Sequence, residues 1–228
     1  MECPLVAGAA SSVHLLGGGW DAVVEMYGPF LDAAGTQAAI ACVVLDEGDG
    51  AQEFLRWDAV LRRTAACRPV PVLVRLGDRL DVRALGEAQA VLVCGGLTPA
   101  YADALVPVAS ELRAWLSVGR PYAGFSAGAA LAARHAVVGG WRHGGQPVCP
   151  EEAGEDLDEV TVRPGLGLVD VTVDVHCSQW GTLPRLRAAL SMAAGAAGLA
   201  IDEDTAVHCY PERTTVTGRG QVRPVPAT

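Results

Sequence analysis

Apolar residues fall into short, nearly unbroken runs, separated by stretches where they recur every three or four positions. The runs at 13–16, 38–45, 70–74, 90–94, 121–125, 171–175 and 198–201 are four to eight residues long and rich in Val, Leu, Ile and Ala. Runs of that length, apolar at nearly every position, predict strands covered on both faces. Helical spacing fills the gaps. Val23, Val24, Met26 and Tyr27 follow the triple glycine 17–19, and Leu55, Trp57, Val60 and Leu61 form the apolar side of an amphipathic segment at 53–66. Leu105, Val108, Leu112, Trp115 and Leu116 predict one long helix at 101–118, and further helices are expected at 127–134 and 183–197. Strand and helix alternating in this way predict an α/β fold of three layers, a largely parallel sheet flanked by helices, in one domain over residues 1–228.

Two regions depart from the rhythm. Residues 137–163 contain five glycines, two prolines and the acids Glu151, Glu152, Glu155, Asp156, Asp158 and Glu159, which predicts irregular hairpin and loop at the edge of a site. The tail, 206–225, predicts two or three short antiparallel strands turned at Gly218-Arg219-Gly220. No repeat and no compositional boundary divides the chain.

Composition narrows the function classes. Half of the 228 residues are apolar, so the chain can build a substantial core. A net charge of −9 argues against nucleic acid or an anionic membrane as partner. All 17 basic residues are arginine, which excludes Schiff-base lysines, Ser-Lys dyads and a P-loop lysine. Seven scattered cysteines without a C-x-x-C pair predict reduced thiols in a cytoplasmic protein rather than a disulfide framework or zinc site. No signal peptide or membrane-length run is evident, and no metal or organic cofactor is implied.

The carboxyl ends of strands are where such sheets bind ligands. Gly17–Gly19, Gly95-Gly96, Ser126 and His176 are all expected there. Residues 124–128 read Gly-Phe-Ser-Ala-Gly, a serine on a tight strand-to-helix turn, with the following helix offering free N–H groups to an oxyanion. A serine nucleophile needs a base, and the base needs an acid that orients it. His176 ends a strand and is the best-placed base. His14, His135, His143 and His208 are the other histidines, and Cys177 to Gly181 reads as a loop. Asp202, Glu203 and Asp204 supply three neighbouring carboxylates, with Glu151 and Glu152 as further competitors for the third role.

With these motifs in order, the chain resembles the cyanophycinase and aspartyl-dipeptidase family of serine peptidases. The matching stretches are Gly95-Gly96 after a strand, residues 124–129, Gly165-Leu166-Gly167-Leu168 leading through Asp174-Val175-His176 to Gly181 and Arg185-Leu186, and residues 198–206. The resemblance implies a class I glutamine-amidotransferase-like, flavodoxin-like fold and a Ser-His-Glu triad of Ser126, His176 and Glu203. It also implies an oxyanion hole from the N–H groups of Gly96 and Ala127. The substrate would be a small peptide or amide, and no partner beyond that and a second copy of the chain is expected. The chain departs from the family at Leu97-Thr98-Pro99-Ala100, at Cys177 and at Trp180-Gly181-Thr182, where specificity should be decided. Gly95, Thr98, Gln179, Trp180 and Arg185 are the candidate substrate-binding residues. Two other readings use the same features: a catalytically silent binding member of this fold, and an α/β-hydrolase-type esterase with His208 as base.

Overall fold

The computed structural model describes residues 2–193 and 195–227. Five strands between residues 13 and 125 pair in parallel, in the order β1-β5-β4-β2-β3: β1 (Val13–Leu16), β2 (Ala39–Asp46), β3 (Arg68–Arg75), β4 (Ala90–Val93) and β5 (Tyr122–Phe125). Strand β2 shows why the sheet needs cover on both sides. Ala39, Ala41, Val43 and Leu45 join one apolar core, while Ile40, Cys42 and Val44 join another. Helices α1 (Val23–Ala34) and α2 (Gly50–Thr64) close the second core, and α3 (Thr98–Leu105), α4 (Ala109–Leu116) and α5 (Ala127–Leu131) close the first. The result is the expected three-layer α/β fold.

The chain then leaves the sheet. β6 (His135–Gly139) pairs antiparallel with β9 (Thr161–Pro164), enclosing a small hairpin of β7 (Arg142–His143) and β8 (Gln146–Pro147) and a single 3₁₀ turn at Glu151–Ala153. A second, three-stranded sheet contains β10 (Thr172–Asp174), with α6 (Cys177–Trp180) and α7 (Leu183–Met192) between it and β11 (Gly198–Ile201). β12 (Thr205–Tyr210) and β13 (Arg213–Gly218) add antiparallel strands to the main sheet beside β1. β14 (Val222–Val225) pairs with β11, so the last expected tail strand belongs to the second sheet rather than to a local hairpin.

Several expectations need correction. The helix expected at 101–118 is interrupted by a 3₁₀ turn at Val106–Val108, because Pro107 has no N–H to continue the ladder. The helix after Ser126 ends at Leu131, and residues 177–180 form one helical turn rather than a loop. Leu55, expected on the apolar side of α2, is 64% exposed; the buried positions there are Gly50, Trp57, Val60 and Leu61.

The cysteines are not all free. Cys3 and Cys209 form a disulfide that ties the N-terminal segment to β12 across 206 positions. Cys42, Cys67, Cys94, Cys149 and Cys177 are free thiols. The thiol count therefore no longer argues for a reducing compartment. Among the described residues, no helix is long and apolar enough to cross a membrane.

Beside the disulfide, His14 and His208 face each other across the β1–β12 pair with Nδ1···Nδ1 at 2.8 Å. Ser12 Oγ lies 2.9 Å from the outer nitrogen of His14, and Thr217 Oγ1 lies 2.8 Å from that of His208.

Candidate active site

The turn at Ser126 is built by its neighbours. A side chain at Gly124 would place its Cβ 2.3 Å from the backbone of Gly128, and one at Gly128 would come 2.4 Å from the carbonyl of Val93. Only glycines allow α5 to start this close to β4 and β5. Ser126 takes the strain, with φ +52°, and its N–H is fixed by the Leu16 carbonyl at 2.9 Å. Such a conformation costs about 1–3 kcal/mol and presents the hydroxyl at the sheet's carboxyl edge. The N–H groups of Gly96 and Ala127 donate to no protein acceptor among the described residues. Helix geometry requires this of Ala127, since the first-turn amides have no carbonyl four residues back.

His176 arrives from the other sheet. It follows β10, adopts the left-handed conformation at φ 54° and starts α6, with its N–H donated to Gly17 O at 3.1 Å. Its Nε2 is 2.8 Å from Ser126 Oγ, and its Nδ1 is 2.7 Å from Glu203 Oε1. One face of the imidazole is covered by Trp180, stacked at 3.9 Å and 8° between planes. Gly18 lies against the ring so closely that an added Cβ would fall 2.1 Å from Cε1. Burial lowers the imidazole pKa below its usual value, and the hydrogen bond and charge of Glu203 partly offset that. The ring is therefore neutral and able to accept a proton at neutral pH.

The three adjacent acids separate by their partners. Asp202 accepts from Ser178 N–H (3.0 Å), Gln221 N–H (3.0 Å) and the Arg223 guanidinium (2.8 Å). Asp204 Oδ1 accepts from the N–H groups of Asp21 (2.8 Å) and Ala22 (3.0 Å). Only Glu203 reaches His176, and its own N–H is held by Gln179 Oε1 at 3.0 Å. Gln179 thus fixes the backbone of Glu203, where the sequence suggested the substrate rim. Glu151 and Glu152 line the cleft but make no contact with the histidine.

A cleft of about 740 Å³ opens onto Ser126 and His176. Gly95, Gly96 and Trp180 are among its lining residues. Gly95 must be glycine because a Cβ would meet the Phe125 ring at 2.9 Å. Thr98 is buried behind the cleft, its N–H donated to Glu155 Oε2 at 3.0 Å. Arg185 is not at the rim. It is 4% exposed and holds Asp174 bidentately at 2.9 and 2.7 Å while donating to the Ala153 carbonyl. That pair anchors the acidic loop to β10, and breaking such a buried pair costs about 3–5 kcal/mol.

The sequence did not point to the aromatic wall. Trp20, Trp57 and Phe125 cluster with ring centroids 4.8 to 5.0 Å apart, and Trp141 lines the acidic side. Trp20 directly after the triple glycine and Phe125 directly before Ser126 were the available signals. His208, the base of the esterase reading, is fully buried against His14 and does not line the cleft. His135 begins β6 and His143 lies in β7, and neither lines it. No cluster of three or more His, Cys, Asp or Glu suited to a metal occurs among the described residues.

The sequence matches no protein-family model and no curated protein. Solved structures do share the fold. A peptidase from an acI-B1 Actinobacterium superposes with a TM-score of 0.66 at 19% identity, covering 96% of this chain and 92% of the other. The "Putative Peptidase E Protein from Listeria monocytogenes EGD-e" gives 0.58 at 12% identity, covering 93% and 100%. At these identities the likeness is one of fold: a mixed α/β domain whose large, mostly parallel sheet is flanked by helices.

Proposed function

We propose that this chain is a serine hydrolase that cleaves a small peptide or amide bond through an acyl-enzyme, as a peptidase of the cyanophycinase and aspartyl-dipeptidase type. The carrying observation is the continuous chain from Ser126 Oγ to His176 Nε2 (2.8 Å) and from His176 Nδ1 to Glu203 Oε1 (2.7 Å). Distances in this range suit direct proton transfer. The fold shared with two structures named as peptidases supports the same reading.

In the first half-reaction Ser126 Oγ attacks the substrate carbonyl carbon while His176 Nε2 takes the hydroxyl proton. The carbonyl oxygen becomes an oxyanion held by the N–H groups of Gly96 and Ala127. Glu203 holds the Nδ1–H and offsets the imidazolium charge. The C–N bond then breaks, His176 gives its proton to the leaving amine, and an ester to Ser126 remains. Water enters, loses a proton to Nε2 and attacks the ester carbon. When the C–O bond to Ser126 breaks, the same proton returns to Oγ and the acid product leaves.

A mass-spectrometric hydrolysis screen over neutral, acidic and basic dipeptides, β-aspartyl dipeptides, cyanophycin and simple esters tests this. The wild type should release product and Ser126→Ala should not, with the wild type alone labelled by a fluorophosphonate at Ser126. Equal turnover by both proteins, or a wild type that neither turns over substrate nor takes the label, overturns the reading.

A further inference from the structure

We propose that the cleft selects its substrate by positive charge, taking peptides or amides that carry an ammonium or guanidinium group and rejecting acidic ones. This deepens the serine-hydrolase reading and rests on it. Glu53, Glu151, Glu152, Glu155, Asp156 and Asp158 line the space in front of Ser126, and Arg56 is the one guanidinium among the lining residues. Three of these carboxylates are partly engaged: Glu53 by Arg56 at 3.4 Å, Glu155 by the Thr98 N–H at 3.0 Å, and Asp158 by the Trp141 indole N–H at 3.3 Å. Glu151, Glu152 and Asp156 are exposed at the mouth of the cleft, and their side chains have no hydrogen-bond or ion-pair partner among the described residues. They are the specificity-determining residues.

Two further features point the same way. An adjoining cleft of about 470 Å³ shares Glu53, Gly95 and Gly96 with the first and adds Glu47 and Asp49, so the negative field continues past the nucleophile. The lining aromatics also suit cations, because the face of an indole carries negative potential. Two of them already hold one: Arg56 lies 5.2 Å from the Trp20 centroid, and Arg142 lies 3.9 Å from that of Trp141. A carboxylate entering this space would meet like charge, with Arg56 already shared between Glu53 and Trp20. The acidic loop is held in place rather than free, since Arg185 grips the Ala153 carbonyl and Gly140 N–H donates to Gly154 O at 2.8 Å.

Matched peptides separate charge from shape. Arg-Ala and Ala-Arg are compared with the neutral isosteres citrulline-Ala and Ala-citrulline, and with Asp-Ala and Ala-Asp. Turnover is measured on the wild type, and binding by tryptophan fluorescence on Ser126→Ala. In one or both orders arginine should exceed citrulline by about tenfold or more, as expected for a few partly exposed charge contacts acting together. The ratio should fall toward one in Glu151→Gln/Glu152→Gln/Asp156→Asn and with rising salt. Citrulline or aspartate peptides handled as well as arginine peptides overturn the proposal, whatever the rate. Charge-selective binding without turnover sinks the hydrolase reading and leaves the selectivity standing. Turnover without selectivity does the reverse, and the absence of both overturns both.

Discussion

Gly18→Ala is the sharpest available test of the geometry around His176. Residue 18 sits at φ +106°, where any L side chain costs about 1–2 kcal/mol. The larger effect is contact. The new Cβ would fall 2.1 Å from Cε1 and 2.5 Å from Nδ1, so the ring must retreat by about 1.3 Å to regain ordinary van der Waals separation. It cannot do so freely, because Ser126, Glu203 and the stacked Trp180 hold its two nitrogens and the plane of the ring. A displacement of that size in a reacting group costs about 10²-fold in rate. The assay is the second-order rate of fluorophosphonate labelling at Ser126, which needs no knowledge of the substrate. Gly35→Ala is the control: it has φ +93° but nothing within 4 Å of the added Cβ, so it carries backbone strain without the clash. Gly35→Ala should lose only the stability that backbone strain costs and keep its labelling, while Gly18→Ala should lose more stability and the labelling as well. A folded Gly18→Ala protein that labels within about threefold of wild type would refute the account.

Three further outcomes are expected. The labelling rate of wild type should rise with pH through an inflection below the ordinary imidazole value, because burial favours the neutral ring. Glu203→Gln should move that inflection lower still, since the charge that raises the pKa is gone, and should cut the plateau by about 10²–10⁴-fold; an upward shift would contradict the assigned contact. Thiol titration of the denatured, unreduced protein should count five sulfhydryls and seven after reduction, and reduction should cost up to about 5 kcal/mol of stability for so long a loop; seven before reduction would exclude the bond. Burial holds His208 at about 4 and His14 well below its usual value, so the native state binds fewer protons than the unfolded chain, and stability is lost as pH falls from about 6.5 toward 4. The His208 share is about 2–3 kcal/mol by pH 4.5, and a flat urea midpoint over that range would contradict it.

The order of layers was legible because strand burial writes itself into sequence: β2, β4 and β5 are apolar at nearly every position, and runs this short between glycine-rich turns suit a sheet covered on both faces better than a buried helix. Ser126 and His176 were legible because a nucleophile turn and a strand-terminal histidine are local signals. Glu203 was singled out from Asp202 and Asp204 only through the family resemblance; the contacts that distinguish them involve Arg223, Ala22 and Asp21, which no spacing connects to them. The same limit explains Arg185, whose partner Asp174 lies 11 positions away on a different element. It explains the disulfide as well, since a separation of 206 carries no pattern at all. Leu55 misled because helical spacing marks a stripe but not its width. Pro107 was visible and outweighed by the apolar periodicity around it.

The four side chains Ser12, His14, His208 and Thr217 form a hydrogen-bonded line across the seam where the sheet turns from parallel to antiparallel. Each neutral imidazole carries one N–H, so the line has two self-consistent proton arrangements, one running from Ser12 to Thr217 and the other running back. In either, one inner nitrogen donates and the other accepts. A single added proton is absorbed on an outer nitrogen, whose hydroxyl partner turns to accept it, and the inner contact survives; a second proton leaves two inner N–H groups pointed at each other. The second proton therefore breaks the His14–His208 contact that sits on the β1–β12 ladder. Gly17 follows β1 and Glu203 precedes β12, so loss of that contact in acid would reach the Ser126 site from behind, in addition to the protonation of His176 itself.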